Sequence, residues 1–297
     1  MSFALSNLSV CSAALTATTA ASAAEVAETT TAEPVMSETV IALLAVGSCL
    51  ALVWLVRRII YPRKLSLSHA PGRPHKLNAI HGVVLLTVLV MISAFAPGMM
   101  MALFGLPEPK AIVLGLMVDR VAWLGISLPV AALAFRFGLM RGMGLSVRHW
   151  IYDSIRAAYA YLAVLPLCLG LQALTTLLVP PKQHPIFEIM GGLPPYWQAT
   201  LALTTAVLVP ISEEVFFRGL LQSIARRHLQ NAWAAVIAIS AVFAMLHAAT
   251  PQDIPSLFVL SLVLGYTYER SGRLLSPILI HMVFNGVFVA LFLAHTG

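Results

Sequence analysis

In the stretch SEEVFFRGLLQ, residues 212–222, two glutamates and an arginine sit within an otherwise apolar run. Glu214 and Arg218 are spaced i and i+4, neighbours on one helical face, and can form an intrahelical ion pair. Glu213 points about 100° away from that pair and is expected to be left free to line a cavity. A carboxylate placed there can take a proton from water as a general base. Downstream, FAMLHA puts His247 four residues after Phe243, and IHMVFNGV sets His281 and Asn285 at i and i+4 on one face. A carboxylate, two imidazoles and an amide are the parts that peptide hydrolysis needs, an activated water and donors to an oxyanion. Each also has a plainer use. The charges can tie helices together, a buried histidine can be a hydrogen-bonded packing residue, and a His–Asn pair can join helices through hydrogen bonds.

The elements that must carry these groups are long and apolar. The chain has 297 residues, 59% hydrophobic and 10% charged, whereas soluble domains run near ~25% charged and ~45–50% apolar. An all-α, polytopic membrane protein follows. Crossing a bilayer takes ~20 apolar residues per helix, and about eight runs qualify: Thr39–Val56, Leu77–Phe104, Ala111–Phe135, Ala157–Val179, Trp197–Leu221, Ala232–Ala249, Ile254–Tyr268 and Leu274–Ala294. The motifs fall on the fifth, sixth and eighth, so a catalytic core in the last four helices is expected. Pro210 is expected to kink the fifth helix and free backbone carbonyls there.

The formal net charge of +6 could suggest nucleic acid, but the placement of the charges points to the bilayer. Most of the 18 Lys and Arg follow odd-numbered spans: Arg57, Arg58, Arg63, Lys64, Arg73 and Lys76, then Arg136, Arg141, Arg148 and Arg156, then Arg226 and Arg227, and finally Arg270 and Arg273. The positive-inside rule therefore predicts cytoplasmic basic loops and both termini outside. Asp119 and Arg120 interrupt the third span. As adjacent residues they are not expected to face each other, and a structural or gating role is expected for them. Cys11, Cys49 and Cys168 follow no metal-ligand spacing. Three regions are expected: an extramembrane tail at 1–36 with a faint signal-peptidase-like ASAAEV, N-terminal membrane helices and loops at 37–195, and the core at 196–297.

Taken together and in order, EExxxR (Glu213, Glu214, Arg218), FxxxH (Phe243, His247) and HxxxN (His281, Asn285) resemble the CPBP family. These are the CAAX-processing and bacteriocin-processing intramembrane proteases, also called the Abi family and related to the Ras-converting endopeptidase. GYTYERSGRLLSPILIHMVFN, with Gly265, Glu269, Gly272 and Pro277, is similar to the family's lead-in to its last motif. The resemblance covers roughly Leu201–Leu293, with no departure from the motif set. It implies that Glu213 and His247 activate the attacking water and that His281 and Asn285 stabilise the oxyanion. Glu214 and Arg218 would support the site. The family is often called metalloprotease, and Glu213, His247 and His281 could form a His₂Glu zinc site. A glutamate-activated water needs no ion, however, and HExxH is absent, so no cofactor is required on this reading. The expected partners are the lipid bilayer and a membrane-associated peptide or protein, possibly prenylated, in a bacterial inner membrane. Two rivals stay open: a non-catalytic scaffold or bacteriocin-immunity protein of the same fold, and a proton-coupled transporter relaying protons through buried Glu and His.

Overall fold

The computed structural model describes residues 38–61, 66–67, 70, 72–182 and 185–296. The expected tail with Cys11, and the loop residues Arg63 and Lys64, lie outside them. Eight long helical stretches follow one another: α1 (Glu38–Ile60), α2 (Ala79–Phe104), α3 (Glu108–Ala134), α4 (Trp150–Leu178), α5 (Pro195–Leu229), α6 (Ala232–Met245), α7 (Ile254–Ser271) and α8 (Leu275–Thr296). A short helix, Pro185–Gly191, lies between α4 and α5. Among the described residues there is no strand beyond an isolated antiparallel bridge between His75 and Phe135.

The helix ends follow local chemistry. Asn78 caps α2 by accepting from the His81 amide, while the His81 ring accepts from the Asn78 amide. Such reciprocal bonds satisfy N–H groups that the helix itself leaves orphaned. Asn231 does the same for Trp233 and Ala234 at the start of α6. Gly105 and Gly272 end α2 and α7 in the left-handed conformation.

Each of the eight expected segments is helical. Among the described residues, six helices are long and apolar enough, by length and composition, to cross a membrane: α1 to α5 and α8. The expected span at Ala232–Ala249 is a 14-residue helix, about 21 Å long against a hydrocarbon core of ~30 Å. The expected span at Ile254–Tyr268 carries buried Ser256, Ser261, Thr267 and Glu269. Such polar groups face protein partners rather than lipid. Periodicity and apolarity found both helices, but packing inside the bundle decides their role.

The bundle is layered around α5. In its most apolar stretch 61% of residues are buried, against 6% for α1. Helices α2 and α3 form an antiparallel hairpin in which Gly115 meets the Pro97 backbone so closely that a Cβ would lie 2.8 Å from its nitrogen. α1 leans on α4, where Tyr159 donates to the Leu50 carbonyl at 3.0 Å. The main apolar core gathers Trp123, Phe216, Phe217, Phe243, Leu260, Tyr268 and Phe284 from α3, α5, α6, α7 and α8.

Candidate active site

The winding of α5 sets the site. Pro210 offers no N–H and crowds the carbonyl one turn back. The preceding segment, Thr204–Leu208, opens into a π turn, and the Val209 amide reaches back to the Thr204 carbonyl. An α-helix would have paired that amide with Thr205, and the next nitrogen belongs to Pro210. The Thr205 carbonyl is therefore left without a donor from its own helix. Asn285 on α8 supplies one, its Nδ2 donating at 3.1 Å. The expected freeing of carbonyls by Pro210 thus has a definite address. A second π segment, Val215–Gln222, follows the two glutamates; π turns interrupt α-helices chiefly at functional sites.

Glu213 and Glu214 are both buried on α5. Glu214 pairs with Arg218 at 3.0 Å, the i to i+4 contact that the spacing predicts. Arg218 also donates to the Ser261 hydroxyl of α7 at 2.8 Å and lies 4.8 Å over the Phe243 ring, a cation–π placement. His281 of α8 bonds Glu214 through Nδ1 at 3.0 Å, and its Nε2 lies 4.0 Å from Glu213. His247 sits just beyond the last residue of α6, in a turn rather than within a span. Its Nδ1 meets the Phe243 carbonyl at 2.7 Å. A carbonyl only accepts, so this contact assigns the proton to Nδ1 and leaves Nε2 as the acceptor nitrogen. The FxxxH spacing therefore joins a backbone carbonyl to an imidazole one turn on, while the Phe243 ring stands edge-on to His281 at 5.8 Å.

Two expectations about charge are corrected. Glu213 is not free: Arg120 of α3 donates to it at 3.2 Å. Asp119 and Arg120, expected to look apart, form an ion pair with each other, because the long arginine side chain folds back past its neighbour. Ser93 of α2 ties the group together. It donates to Asp119 at 2.8 Å and accepts from Trp123 at 3.2 Å, while Arg120 lies 4.6 Å over the Trp123 ring. A carboxylate on α5 is thus held by a cation on α3 that is itself fixed from α2. Sequence reading missed Arg120 as a site residue. The available signal was a charge inside an apolar run, which is expensive in lipid and marks function.

Buried polar atoms in folded proteins almost always find partners. Among the buried side-chain atoms of the described residues that have none are Arg120 Nε, Glu214 Oε2 and Asn285 Oδ1. All three belong to this cluster. By contrast, no group of three or more His, Cys, Asp or Glu among the described residues is placed to hold an ion. Glu213 and His281 approach to 4.0 Å, and the suggested set with His247 is not among such groups. Cys49 and Cys168 are free thiols.

Residues 195–287 match the family model described as type II CAAX prenyl endopeptidase Rce1-like. An uncharacterized 24.3 kDa protein of Escherichia coli is 32% identical over 83 residues, covering 27% of this chain and 38% of that protein. The chain thus spans well under half the length of this relative. No solved structure matches. The match contains Glu213, Glu214, Arg218, Phe243, His247, His281 and Asn285, whereas Arg120 and its supports lie before it. Over this segment, under half of the chain, the protein is thus similar to the Rce1-like family.

Proposed function

We propose that the chain is an intramembrane endopeptidase that cleaves a membrane-associated, CAAX-type peptide or protein with a water activated by Glu213 and His247. The observation that carries this reading is the meeting of three helices at one buried cluster, with Glu213 4.0 Å from His281 Nε2 inside the family-matched segment. That separation exceeds a hydrogen bond and suits one water shared between the two groups. In the reaction Glu213 accepts a proton from water as its oxygen attacks the scissile carbonyl carbon. His247, with Nε2 as acceptor, would orient that water by accepting a hydrogen bond from its other hydrogen. The negative charge that forms on the carbonyl oxygen calls for donors. Asn285 has a second N–H on Nδ2 beyond the one on Thr205, and His281 donates from Nε2 when its ring carries both protons. The proton then passes to the leaving amine as the carbon–nitrogen bond breaks.

Arg120 is a positioning residue here: it holds one oxygen of Glu213 and leaves the other towards His281. No step requires an ion. The substrate would enter from the basic end of the bundle, placed on the cytoplasmic side of a bacterial inner membrane by the positive-inside rule. The buried Glu213–Arg120 pair would also serve a non-catalytic scaffold of the same fold. Purified wild type and Glu213→Gln, incubated with prenylated and unprenylated CAAX-type peptides and read by mass spectrometry, separate the readings. Cleavage by wild type alone supports the protease, and equal behaviour of both proteins defeats it. A parallel arm with a strong zinc chelator tests the ion-free chemistry.

A further inference from the structure

At the basic end of the bundle a cavity of about 470 Å³ opens between the last turns of α5 and the segment leading into α2. Arg73, His75, Ser223, Arg226 and Arg227 line it. One carboxylate belongs to this neighbourhood, Glu269, and it is withdrawn. Its side chain is fully buried behind Arg73, Arg226 and Gln222, which bond both of its oxygens. The lining is therefore cationic, three guanidiniums against one sequestered acid. The bonds among described residues use two N–H groups on Arg73 (Glu269 and the Tyr268 carbonyl) and two on Arg226 (Glu269 and the Ala70 carbonyl). Each guanidinium has five. Arg73 is further fixed 3.8 Å over the Tyr268 ring.

A second observation points to a ligand. Ser223 is 3% exposed, and its hydroxyl, with the Tyr268 hydroxyl as a polar neighbour, makes no hydrogen bond of ordinary geometry among the described residues. The adjacent Tyr268 hydroxyl is committed to the Met143 carbonyl at 2.9 Å. A buried hydroxyl beside three cations is a donor awaiting an acceptor.

The segment that lines this cavity continues directly into an apolar one. Leu77, Asn78, Ile80, His81, Val84, Leu85 and Val130 line a mostly apolar groove of about 370 Å³ along the first turns of α2. Arg227 fastens the two together by donating to the His75 carbonyl at 2.6 Å and to the Leu77 carbonyl at 3.1 Å. A cationic pocket joined to an apolar groove where spanning helices end has the form of an amphiphile, with an acid at its head. Ser223 lies ten residues along α5 from Glu213, about 15 Å, so this place is separate from the hydrolytic cluster.

We propose that the paired cavities bind an anionic phospholipid, its phosphate held by Arg73, Arg226, Arg227 and the Ser223 hydroxyl and one acyl chain lying in the groove of α2. A free phosphate shares the head-group chemistry but has nothing for the groove.

The full chain, purified in mild detergent, would be incubated with dioleoyl phosphatidylglycerol, dioleoyl phosphatidylcholine or inorganic phosphate. Native mass spectrometry reads the retained lipid, and thermal unfolding reads the phosphate. The expected result is one phosphatidylglycerol retained with roughly tenfold preference over phosphatidylcholine. Arg227→Gln should lower that preference roughly fivefold. Ser223→Ala, too small a change to threaten folding, should weaken retention severalfold. Val130→Trp should fill the groove and lower lipid retention without altering the response to phosphate. Equal retention of both lipids overturns the proposal, as does retention unmoved by Ser223→Ala and Val130→Trp. Stabilisation by inorganic phosphate with no selective lipid retention reduces the pocket to a phosphate site and overturns the lipid reading too.

Discussion

Two clusters built on buried carboxylates border α5, one on the Glu269 of α7 and one on the Glu213 and Glu214 of α5 itself, and their bonding differs. At the basic end, Glu269 has both oxygens occupied, by Arg73, Gln222 and Arg226. In the middle of α5, Glu213 and Glu214 face Arg120, Arg218 and His281, yet Glu214 Oε2, Arg120 Nε and Asn285 Oδ1 remain without partners. Both clusters place charge where it is costly. The closed one behaves as a rivet joining α5, α7 and the loop before α2. The open one keeps unused donors and acceptors at the point where a substrate's polar atoms would arrive, at the expense of desolvation that a closed network avoids. Incomplete satisfaction, rather than charge alone, separates a working site from a structural one.

The largest expected effect breaks the open cluster. Glu213→Gln keeps the shape and removes the base, so kcat/KM on a cleavable peptide should fall by about 10²–10⁴-fold with unfolding in detergent little changed. If the two clusters differ as argued, Glu269→Ala should do the reverse. It strands the partly buried Arg73 and Arg226 and should cost about 1–3 kcal/mol of stability, while the folded fraction cleaves at the wild-type rate. A lost rate in that folded fraction would erase the distinction.

Arg120 sharpens the comparison, because it looks structural but touches Glu213. Arg120→Leu should lower kcat by about 10–100-fold, the usual effect of removing a partner that orients a functional group, with KM nearly constant. Arg120→Lys should restore part of the rate. Equal losses in stability and none in kcat would make it a second rivet. Asn285→Leu deprives the Thr205 carbonyl of its donor, an unsatisfied buried acceptor worth about 1–3 kcal/mol, readable as a lower Tm.

The smallest effect is a pH dependence outside the spans. Burial holds the His75 imidazole below its ordinary value, partly offset by its bond to the Ser223 carbonyl, while Arg227 and His228 push the same way as burial. The unfolded chain thus takes up the proton first as pH falls. The stability that neutral His75 contributes is complete above its unfolded value of about 6.5 and is lost as pH falls through the lower folded value. Tm measured between about pH 7.5 and 5.5 should decline less steeply in His75→Gln.

Much of this was readable in the sequence, for physical reasons. Apolar run length found all eight helical stretches, because backbone groups within lipid must be bonded inside their own segment. It did not separate α6 and α7, which the bundle encloses, from the lipid-facing helices, since a run of apolar residues reads alike whether lipid or protein covers it. Within the site, Glu214–Arg218 and Phe243–His247 were legible because both pairs are one helical turn apart. Arg120 was not assigned to the site, since its partner Glu213 lies 93 positions away in sequence and spacing carries no information at that range. The bond from His281 to Glu214, and that from Asn285 to Thr205, were hidden likewise by distance along the chain. Pro210 announced a disturbance of α5 but not which carbonyl it would release.

The π turn at Thr204–Leu208 has a consequence in counting. Each such turn holds about one residue more than an α turn, so the helix runs late in phase by nearly one residue when it reaches Glu213. The direction in which the glutamates face is therefore set by how many residues precede them as much as by what they are. Loss of a single residue from that turn would preserve every side chain named here and wind the pair roughly 100° around the axis. Glu213 would move away from Arg120, and the motif would stay intact in the text of the sequence while its parts no longer met.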